Sequence, residues 1–90
     1  MFSRRLLIVD ADRGLVEADA ETEAVRSKIG EHHSALGHYL ETGDDSRLIE
    51  LRGTVVRIGD QRHRLETDPA RIEDLALAGD LEYDDIYVLE

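Results

Sequence analysis

Three observations in the sequence predict a small α+β fold that forms one domain over residues 1–90. A short aliphatic run near the N-terminus, RRLLIV at residues 4–9, predicts a buried strand. Apolar residues at helical spacing predict one long helix over about residues 20–41. Turn and cap residues further along predict a β-hairpin at about 54–66 and a C-terminal helix at about 69–78.

The N-terminal strand is followed by a turn. Residues 10–14, DADRG, combine Asp, Gly and Arg without apolar periodicity, which is typical of a turn. Residues 15–18, LVEA, fit either a second strand that forms a hairpin with the first or the start of the long helix.

The long helix has signals at both ends. Asp19 is a suitable N-cap, and Glu21 and Glu23 would lie near the positive end of the helix dipole. Gly43 is suited to the left-handed position just past the C-terminal end. Spacing alternately by three and four defines an apolar seam made of Leu15, Ala18, Thr22, Val25, Ile29, His32, Leu36 and Tyr39.

The region after the long helix predicts a short helix and then the hairpin. Residues 46–51, SRLIEL, favour a helix capped by Asp44 or Asp45, with a strand as the alternative. Gly59-Asp60 is a suitable two-residue hairpin turn. Because side chains alternate across a strand, this turn predicts a buried face and an exposed face. The buried face holds Val56, Ile58, His63 and Leu65, and the exposed face holds Val55, Arg57, Arg62 and Arg64.

The C-terminal helix carries the clearest local pattern of the chain. Asp68 fits the N-cap, Pro69 fits the first helical position, and Gly79 lies past the end. An apolar stripe is expected at Ile72, Leu75 and either Ala76 or Leu77. In the tail that follows, residues 81–83 favour a strand.

The charge of the chain is strongly acidic and unevenly distributed. The net charge is −10, yet residues 46–65 carry five arginines against two acids. Residues 10–45 and 66–90 carry net charges of −7 and −8. This basic middle between acidic ends indicates either internal charge pairing or a surface for an anionic partner. The acidity itself is typical of a well-solvated protein surface.

Several classes of function lack their signatures in the sequence. The chain contains no cysteine, which excludes disulfide frameworks and thiolate chemistry. It has no phosphate-binding P-loop and no serine nucleophile elbow, so we expect no enzymatic activity and no cofactor. The N-terminal apolar run is too short for a signal peptide or a membrane span, so we expect a cytoplasmic protein without membrane contact.

Three of the four histidines lie close together in the long helix and invite a metal-site interpretation. Two ligands on one helical face need a spacing of three, four or seven residues. The separations among His32, His33 and His38 are one, five and six. Glu31, His38 and Glu41 share a stripe but lack the Glu-x-x-His order of di-iron bundles. We therefore expect no metal at this cluster.

The same helix predicts a packing or docking surface. His32 interrupts the apolar seam, and Gly30 and Gly37 are seven residues apart on one face. Each glycine costs about 1 kcal/mol relative to Ala inside a helix, so close approach of another backbone is expected there. The neighbour belongs either to this chain or to another. The predicted partner-binding set is Gly30, His32, His33, Leu36, Gly37 and Tyr39.

The exposed face of the hairpin is a second candidate surface. Arg57 is expected opposite Arg62, a like-charge pair that is unfavourable unless an anion lies nearby. Arg57, Arg62 and Arg64 form the predicted anion-binding set. The anion is either the acidic part of this chain, a phosphate backbone or an acidic partner, and the absence of aromatic residues from the hairpin gives no support to base stacking.

These observations favour a small acidic, non-enzymatic interaction or regulatory module that binds another protein, with a homodimer as one form of such binding. Two alternatives remain open. One is an acidic inhibitor or nucleic-acid mimic that occupies a basic groove. The other is a weak phosphate or nucleic-acid binder that uses the arginines of the hairpin.

Overall fold

The structure is a computed structural model that describes residues 5–19 and 22–79. It has the α+β architecture that the sequence predicts. The elements along the chain are β1 (Arg5–Asp10), β2 (Gly14–Asp19), α1 (Glu23–Thr42), α2 (Ser46–Glu50), β3 (Val55–Ile58), β4 (Gln61–Arg64) and α3 (Pro69–Leu77).

Strands β1 and β2 form an antiparallel hairpin, which decides the open choice for residues 15–18 in favour of a strand. Gly14 begins β2 with a φ of 79°, a left-handed conformation that glycine adopts without steric cost. Both faces of β1 contribute to the core, because Leu6 and Ile8 are buried on one face and Val9 on the other.

Helix α1 begins later than the sequence suggests, and the prediction of Asp19 as its N-cap was wrong. Asp19 is the last residue of β2 and lies opposite Arg5 in the hairpin. Thr22 caps the helix instead, through its Oγ1, which accepts a hydrogen bond from the Val25 backbone N–H. Strand pairing with β1 therefore prevailed over the local capping preference of Asp19.

The C-terminal end of α1 is as predicted. Gly43 has a φ of 78°, and its backbone N–H donates to the Tyr39 carbonyl at 2.7 Å. The seam predicted for the helix holds from Val25 onward, where Ile29, His32 and Leu36 are buried. Its first two positions lie in β2 and so do not belong to the helix.

The hairpin β3–β4 has the predicted register and the predicted faces. Arg57 lies opposite Arg62, and Val56 lies opposite His63. Val56, His63 and the following Leu65 are buried, whereas the arginine side is exposed. The preceding segment is the short helix α2 rather than a strand.

Helix α3 is confirmed, with Asp68 as N-cap accepting from the Ala70 N–H and Pro69 at its first turn. Ile72 is fully buried, and Leu77 is 86% exposed, so Ala76 rather than Leu77 faces the body of the protein. The strand predicted at residues 81–83 lies outside the described residues.

The core is aliphatic and forms two clusters of buried residues on the two sides of β1. One contains Val9, Ala35, Leu36, Leu48, Leu51 and Ile72. The other contains Leu6, Ile8, Ile29, Val56 and Leu65. Helix α1 contributes to both clusters, and the segment between Ile29 and Ala35 carries His32 and His33.

Replacing Leu36 by Ala tests this core. The side chain is fully buried, so we expect a loss of about 2–5 kcal/mol in the free energy of unfolding. Leu77→Ala is the matched control, since that side chain is 86% exposed and its removal should change stability by less than about 0.5 kcal/mol. Urea unfolding measures both variants. Equal losses would contradict the described placement of α1.

Candidate functional site

The three histidines of α1 bind three different groups. His32 Nε2 lies 2.6 Å from the Glu66 carbonyl oxygen, and His33 Nε2 lies 2.6 Å from the Leu7 carbonyl oxygen. His38 Nε2 contacts the Asp44 carboxylate at 2.9 Å. Because a carbonyl oxygen can only accept, His32 and His33 donate from Nε2. The two adjacent rings therefore bind the backbone of both hairpin regions.

The carbonyls that these rings bind lie where strand pairing between the two hairpins stops. A short antiparallel ladder joins the end of β1 to the residues that follow β4. It consists of two backbone bonds, Ala11 N–H to the Arg64 carbonyl at 2.8 Å and Glu66 N–H to the Val9 carbonyl at 2.9 Å. The two hairpins are thereby connected into one continuous backbone network.

Extending this ladder by antiparallel geometry identifies the role of the histidines. The next two bonds would run from Val9 N–H to the Glu66 carbonyl and from Asp68 N–H to the Leu7 carbonyl. The two histidine rings of α1 take both carbonyls instead. The Asp68 N–H donates to the Glu66 carboxylate at 3.4 Å. Helix α1 thus supplies side-chain donors at the positions where backbone donors would continue the sheet.

His32 is held in its neutral form. Its ring is fully buried, and Nδ1 has no hydrogen-bond partner among the described residues. Burial lowers the pKa of His32 to about 4, because its effect, with a smaller one from nearby His33, outweighs the bond to Glu66 that raises the pKa. A proton on Nδ1 would be a buried charge with no acceptor, so His32 is a neutral Nε2–H donor at neutral pH.

A buried Asp–His pair forms a second polar cluster. Asp10 Oδ2 lies 2.9 Å from His63 Nδ1, and these residues are 1% and 4% exposed. A carboxylate accepts, so His63 donates from Nδ1. The other carboxylate oxygen of Asp10 accepts from the backbone N–H groups of Asp12 and Arg13, at 2.7 and 3.1 Å. Asp10 therefore fixes the β1–β2 turn and holds it to β4.

Arg13 extends this cluster to the surface. Its Nη1 donates to the Arg62 carbonyl at 3.0 Å, and its Nη2 donates to Gln61 Oε1 at 3.0 Å. Nη1 also lies 3.6 Å from Asp10 Oδ2. The 3.4 Å contact between Nη1 and His63 Nδ1 is not a hydrogen bond, because the proton of Nδ1 already points to Asp10. We call Asp10, Arg13 and His63 the turn clamp.

The turn clamp is a structural group by its contacts. An Asp–His pair of this geometry orients the base in hydrolases, where the second imidazole nitrogen activates a hydroxyl. Among the residues that the structure describes, no hydroxyl is hydrogen-bonded to His63. Burial raises the pKa of Asp10, but its bonds from Asp12, His63 and Arg13 outweigh burial and leave that pKa below its ordinary value. Asp10 is therefore a stable buried anion with its donors in place.

The exposed side of hairpin β3–β4 has the composition that the sequence predicts, and we call Val55, Arg57, Arg62 and Arg64 the arginine face. Arg57 and Arg62 are cross-strand neighbours. The Arg64 guanidinium contacts the Asp12 carboxylate at 2.8 Å. Within residues 5–19 and 22–79, the Arg57 and Arg62 guanidinium groups form no ion pair.

A cleft of about 380 Å³ lies beside the arginine face. Arg64 belongs to both, and Arg52 forms another part of the cleft wall. The complete lining is Ala11, Arg52, Gly53, Arg64, Leu65, Glu66, Thr67, Asp68 and Pro69. Three separate segments of the chain thus meet here: the β1–β2 turn, the loop after α2, and the approach to α3.

The residues predicted to bind a partner through α1 lie mostly inside the protein. Gly30, His32, His33 and Leu36 are buried by this chain, and Gly37 and Tyr39 are half-buried. The Tyr39 hydroxyl donates to Glu73 of α3 at 2.6 Å, and this bond raises the Tyr39 pKa. The groups that pack against the apolar seam of α1 thus belong to this chain. Binding of a partner by these residues stays a prediction.

Sequence reasoning missed the turn clamp and the cleft. It placed His63 on the buried face of the hairpin, and a buried imidazole requires a partner. The available signal was Asp10, an acid directly after an aliphatic run. Arg52 gave no such signal, because its place beside Arg64 follows from the packing of α2 against the rest of the fold.

Comparisons with known proteins identified no relative: no family model, no curated protein and no solved structure matches the chain. Within the described part, no cluster of three or more His, Asp or Glu side chains is arranged to hold a metal ion. The described helices include none with the length and apolar character needed to cross a membrane.

The neutral state of His32 makes a prediction about pH and stability. Its pKa is about 4 in the folded protein and 6.5 in the unfolded chain, so the unfolded chain binds a proton more readily between these values. Stability is thus fully present above pH 6.5 and falls as the pH drops towards 4. The loss from this group is about 3 kcal/mol.

His32→Gln isolates this effect, because the Gln amide also donates but does not titrate. Urea unfolding of both proteins between pH 7 and pH 4 should show that wild-type stability falls by about 3 kcal/mol more than that of His32→Gln. Parallel curves for the two proteins would show that His32 titrates normally and is not held neutral.

The turn clamp predicts unequal effects for two neighbouring acids. Asp10→Asn removes a buried charge that accepts from His63, and we expect a loss of about 1.5–3 kcal/mol in unfolding free energy. Asp12→Asn removes an acid whose side chain is 66% exposed and which pairs with Arg64, and we expect a loss below about 1 kcal/mol. Thermal unfolding at pH 7 compares them. A larger loss for Asp12→Asn would contradict the clamp.

Proposed function

We propose that the protein is a non-enzymatic module that binds another macromolecule through the arginine face. The observation that carries this proposal is the cross-strand pair of Arg57 and Arg62, two exposed cations with no carboxylate partner among the described residues. Residues placed for stability alone would avoid this arrangement, since like charges directly opposite each other are destabilising.

The neighbouring arginines support this interpretation by contrast. Arg64, on the same strand, pairs with Asp12, and Arg13 is satisfied by groups of β4. Charge compensation is therefore built into this region of the fold, but it does not extend to Arg57 and Arg62. An external anionic group is the simplest source of the missing compensation.

The net charge of −10 does not prevent such binding. Exposed charges are screened beyond about 8–10 Å at physiological ionic strength, so the local arginine cluster decides a contact at this face. The distant acids would slow the approach of an anionic partner and lower the affinity at low salt. Guanidinium groups also suit paired oxygen atoms, because their donors are arranged in a planar fork.

The turn clamp prepares this surface for binding. The Arg13 guanidinium donates to the Arg62 carbonyl and to the Gln61 side chain, and it also lies 3.6 Å from the Asp10 carboxylate. The hairpin is therefore fixed before a partner arrives, and a rigid surface loses less conformational entropy on binding.

The acidic-mimic alternative is supported by composition and not by one specific contact. A mimic needs free carboxylates on one surface. Glu31 pairs with Lys28, and Glu73 accepts from Tyr39. Other exposed acids of the helices have no ion pair among the described residues, namely Glu23, Glu41, Glu50 and Asp74. The arginine face is preferred because its like-charged pair is a specific arrangement that calls for an anion.

Arg57→Gln tests the proposal through stability and binding together. Relief of the Arg57–Arg62 repulsion should raise unfolding free energy by about 0.2–1 kcal/mol relative to a control with the same net charge. That control is Arg47→Gln, which removes an exposed arginine of α2. The same Arg57→Gln change should weaken binding of a polyglutamate probe by about fivefold or more, and Arg47→Gln by less than about twofold.

Chemical unfolding and fluorescence anisotropy at low salt provide the two measurements. A variant that becomes more stable and binds less tightly would identify Arg57 as a binding residue. Equal binding by Arg57→Gln, Arg47→Gln and the wild type would remove the arginine face as the binding surface.

A further inference from the structure

We propose that the arginine face recognises an extended acidic peptide of another protein, and that the adjoining cleft anchors one carboxylate side chain of that peptide at Arg52. This inference rests on the proposed function above and names its partner. Its basis is the cleft of about 380 Å³ that begins at Arg64, where the arginine face ends.

The cleft contains one arginine without a bound acceptor among the described residues, whereas both of its acids accept hydrogen bonds from this chain. Glu66 accepts from the Asp68 N–H and lies 3.5 Å from Arg71 Nε. Asp68 has no ion pair in the described part of the chain, but its carboxylate accepts from the Ala70 N–H at the positive end of α3, where a negative charge is stabilised. Arg52 has no ion pair with any residue in the described ranges. The Arg52 guanidinium is therefore the group of the cleft that an incoming carboxylate can bind.

The shape of the cleft suits a side chain better than a large ligand. Its volume lies at the lower end of the range of about 300–1,000 Å³ that is typical of small-ligand sites. Ala11, Leu65 and Pro69 provide apolar wall, and Thr67 adds a hydroxyl. A carboxylate on a short aliphatic stem matches a wall of this kind with one free guanidinium.

The spacing of the cations suits an extended chain. Arg62 and Arg64 are two residues apart on β4, a repeat of about 6.6 Å, and an extended peptide repeats its side chains at the same interval. One glutamate can therefore meet Arg62, and the next lies beside Arg64, which already pairs with Asp12. Arg64 also lines the cleft, so the same peptide can continue from the arginine face into it.

A peptide fits this surface better than a nucleic acid does. The arginine face has no aromatic side chain, so it offers no platform on which bases could stack. Val55 is 49% exposed among the arginines and suits an apolar side chain of a peptide.

The test uses fluorescence anisotropy with two labelled probes at low salt. One is a 12-residue peptide with glutamate at every second position and serine or valine between, and the other is a 12-nucleotide single-stranded DNA. Arg52→Glu is compared with Arg47→Glu, which changes the net charge equally on an exposed arginine outside the cleft. Ala11→Leu narrows the cleft without changing charge, and Arg57→Gln reports on the arginine face.

We expect Arg52→Glu to weaken peptide binding about tenfold, Ala11→Leu about fivefold, and Arg47→Glu less than about twofold. Equal effects of Arg52→Glu and Arg47→Glu would overturn the cleft as an anchor, because net charge alone would then explain the loss. If Ala11→Leu fails to fold, the comparison of Arg52→Glu with Arg47→Glu still tests whether the cleft anchors the peptide.

The remaining outcomes separate this inference from the proposed function. If Arg57→Gln weakens the peptide but neither cleft variant does, the arginine face stands and the anchor is overturned. If wild-type protein binds the DNA more tightly than the peptide, the choice of partner is overturned while the face stands. If Arg57→Gln affects neither probe, both proposals fail.

Discussion

The fold depends on two imidazole rings at consecutive positions of one helix. Successive side chains of an α-helix point about 100° apart, so His32 and His33 cannot share a ligand, but they can reach two different strands. His32 binds the Glu66 carbonyl after β4, and His33 binds the Leu7 carbonyl in β1. The two histidines are adjacent in the sequence, which argues against a shared metal ion. The same adjacency allows one helix to bind both hairpins, and we call this pair of hydrogen bonds the junction.

This junction matters because the hydrophobic core is small. A chain of 90 residues buries only about 60–65% of its unfolded surface, and the buried residues here are aliphatic. Aliphatic packing alone specifies the arrangement of two separate hairpins weakly. Hydrogen bonds from α1 to both hairpins, together with the Asp10–His63 pair, favour the arrangement in which these buried polar groups find each other.

The same network connects the interior with the proposed binding surface. Asp10 is buried and fixes the β1–β2 turn, Arg13 leaves that turn to hold β4, and β4 carries Arg62 and Arg64 on its other side. The arginine face is therefore supported by groups that do not take part in binding. Because the hydrophobic core is small, these hydrogen bonds are needed to fix the positions of the arginines on the surface.

Local patterns were sufficient for most of the fold. Gly59-Asp60 with alternating residues gave the register of β3–β4, and Asp68-Pro69 located the start of α3. The prediction of Asp19 as the N-cap of α1 was wrong because a local pattern does not show that Asp19 pairs with β1 in the hairpin. Asp10 and His63 are 53 residues apart, and the cleft combines three segments, so both depend on tertiary packing that no local rule describes.

The central claim is that His32 and His33 donate from Nε2 and so join α1 to both hairpins, and NMR of the ring nitrogens tests it most directly. We expect a proton on Nε2 of both rings at about pH 6, with scalar couplings across the hydrogen bonds to the carbonyl carbons of Glu66 and Leu7. His32 should remain neutral until the pH approaches 4. A His32 ring that titrates near pH 6.5, or rings that lack these couplings, would contradict the claim.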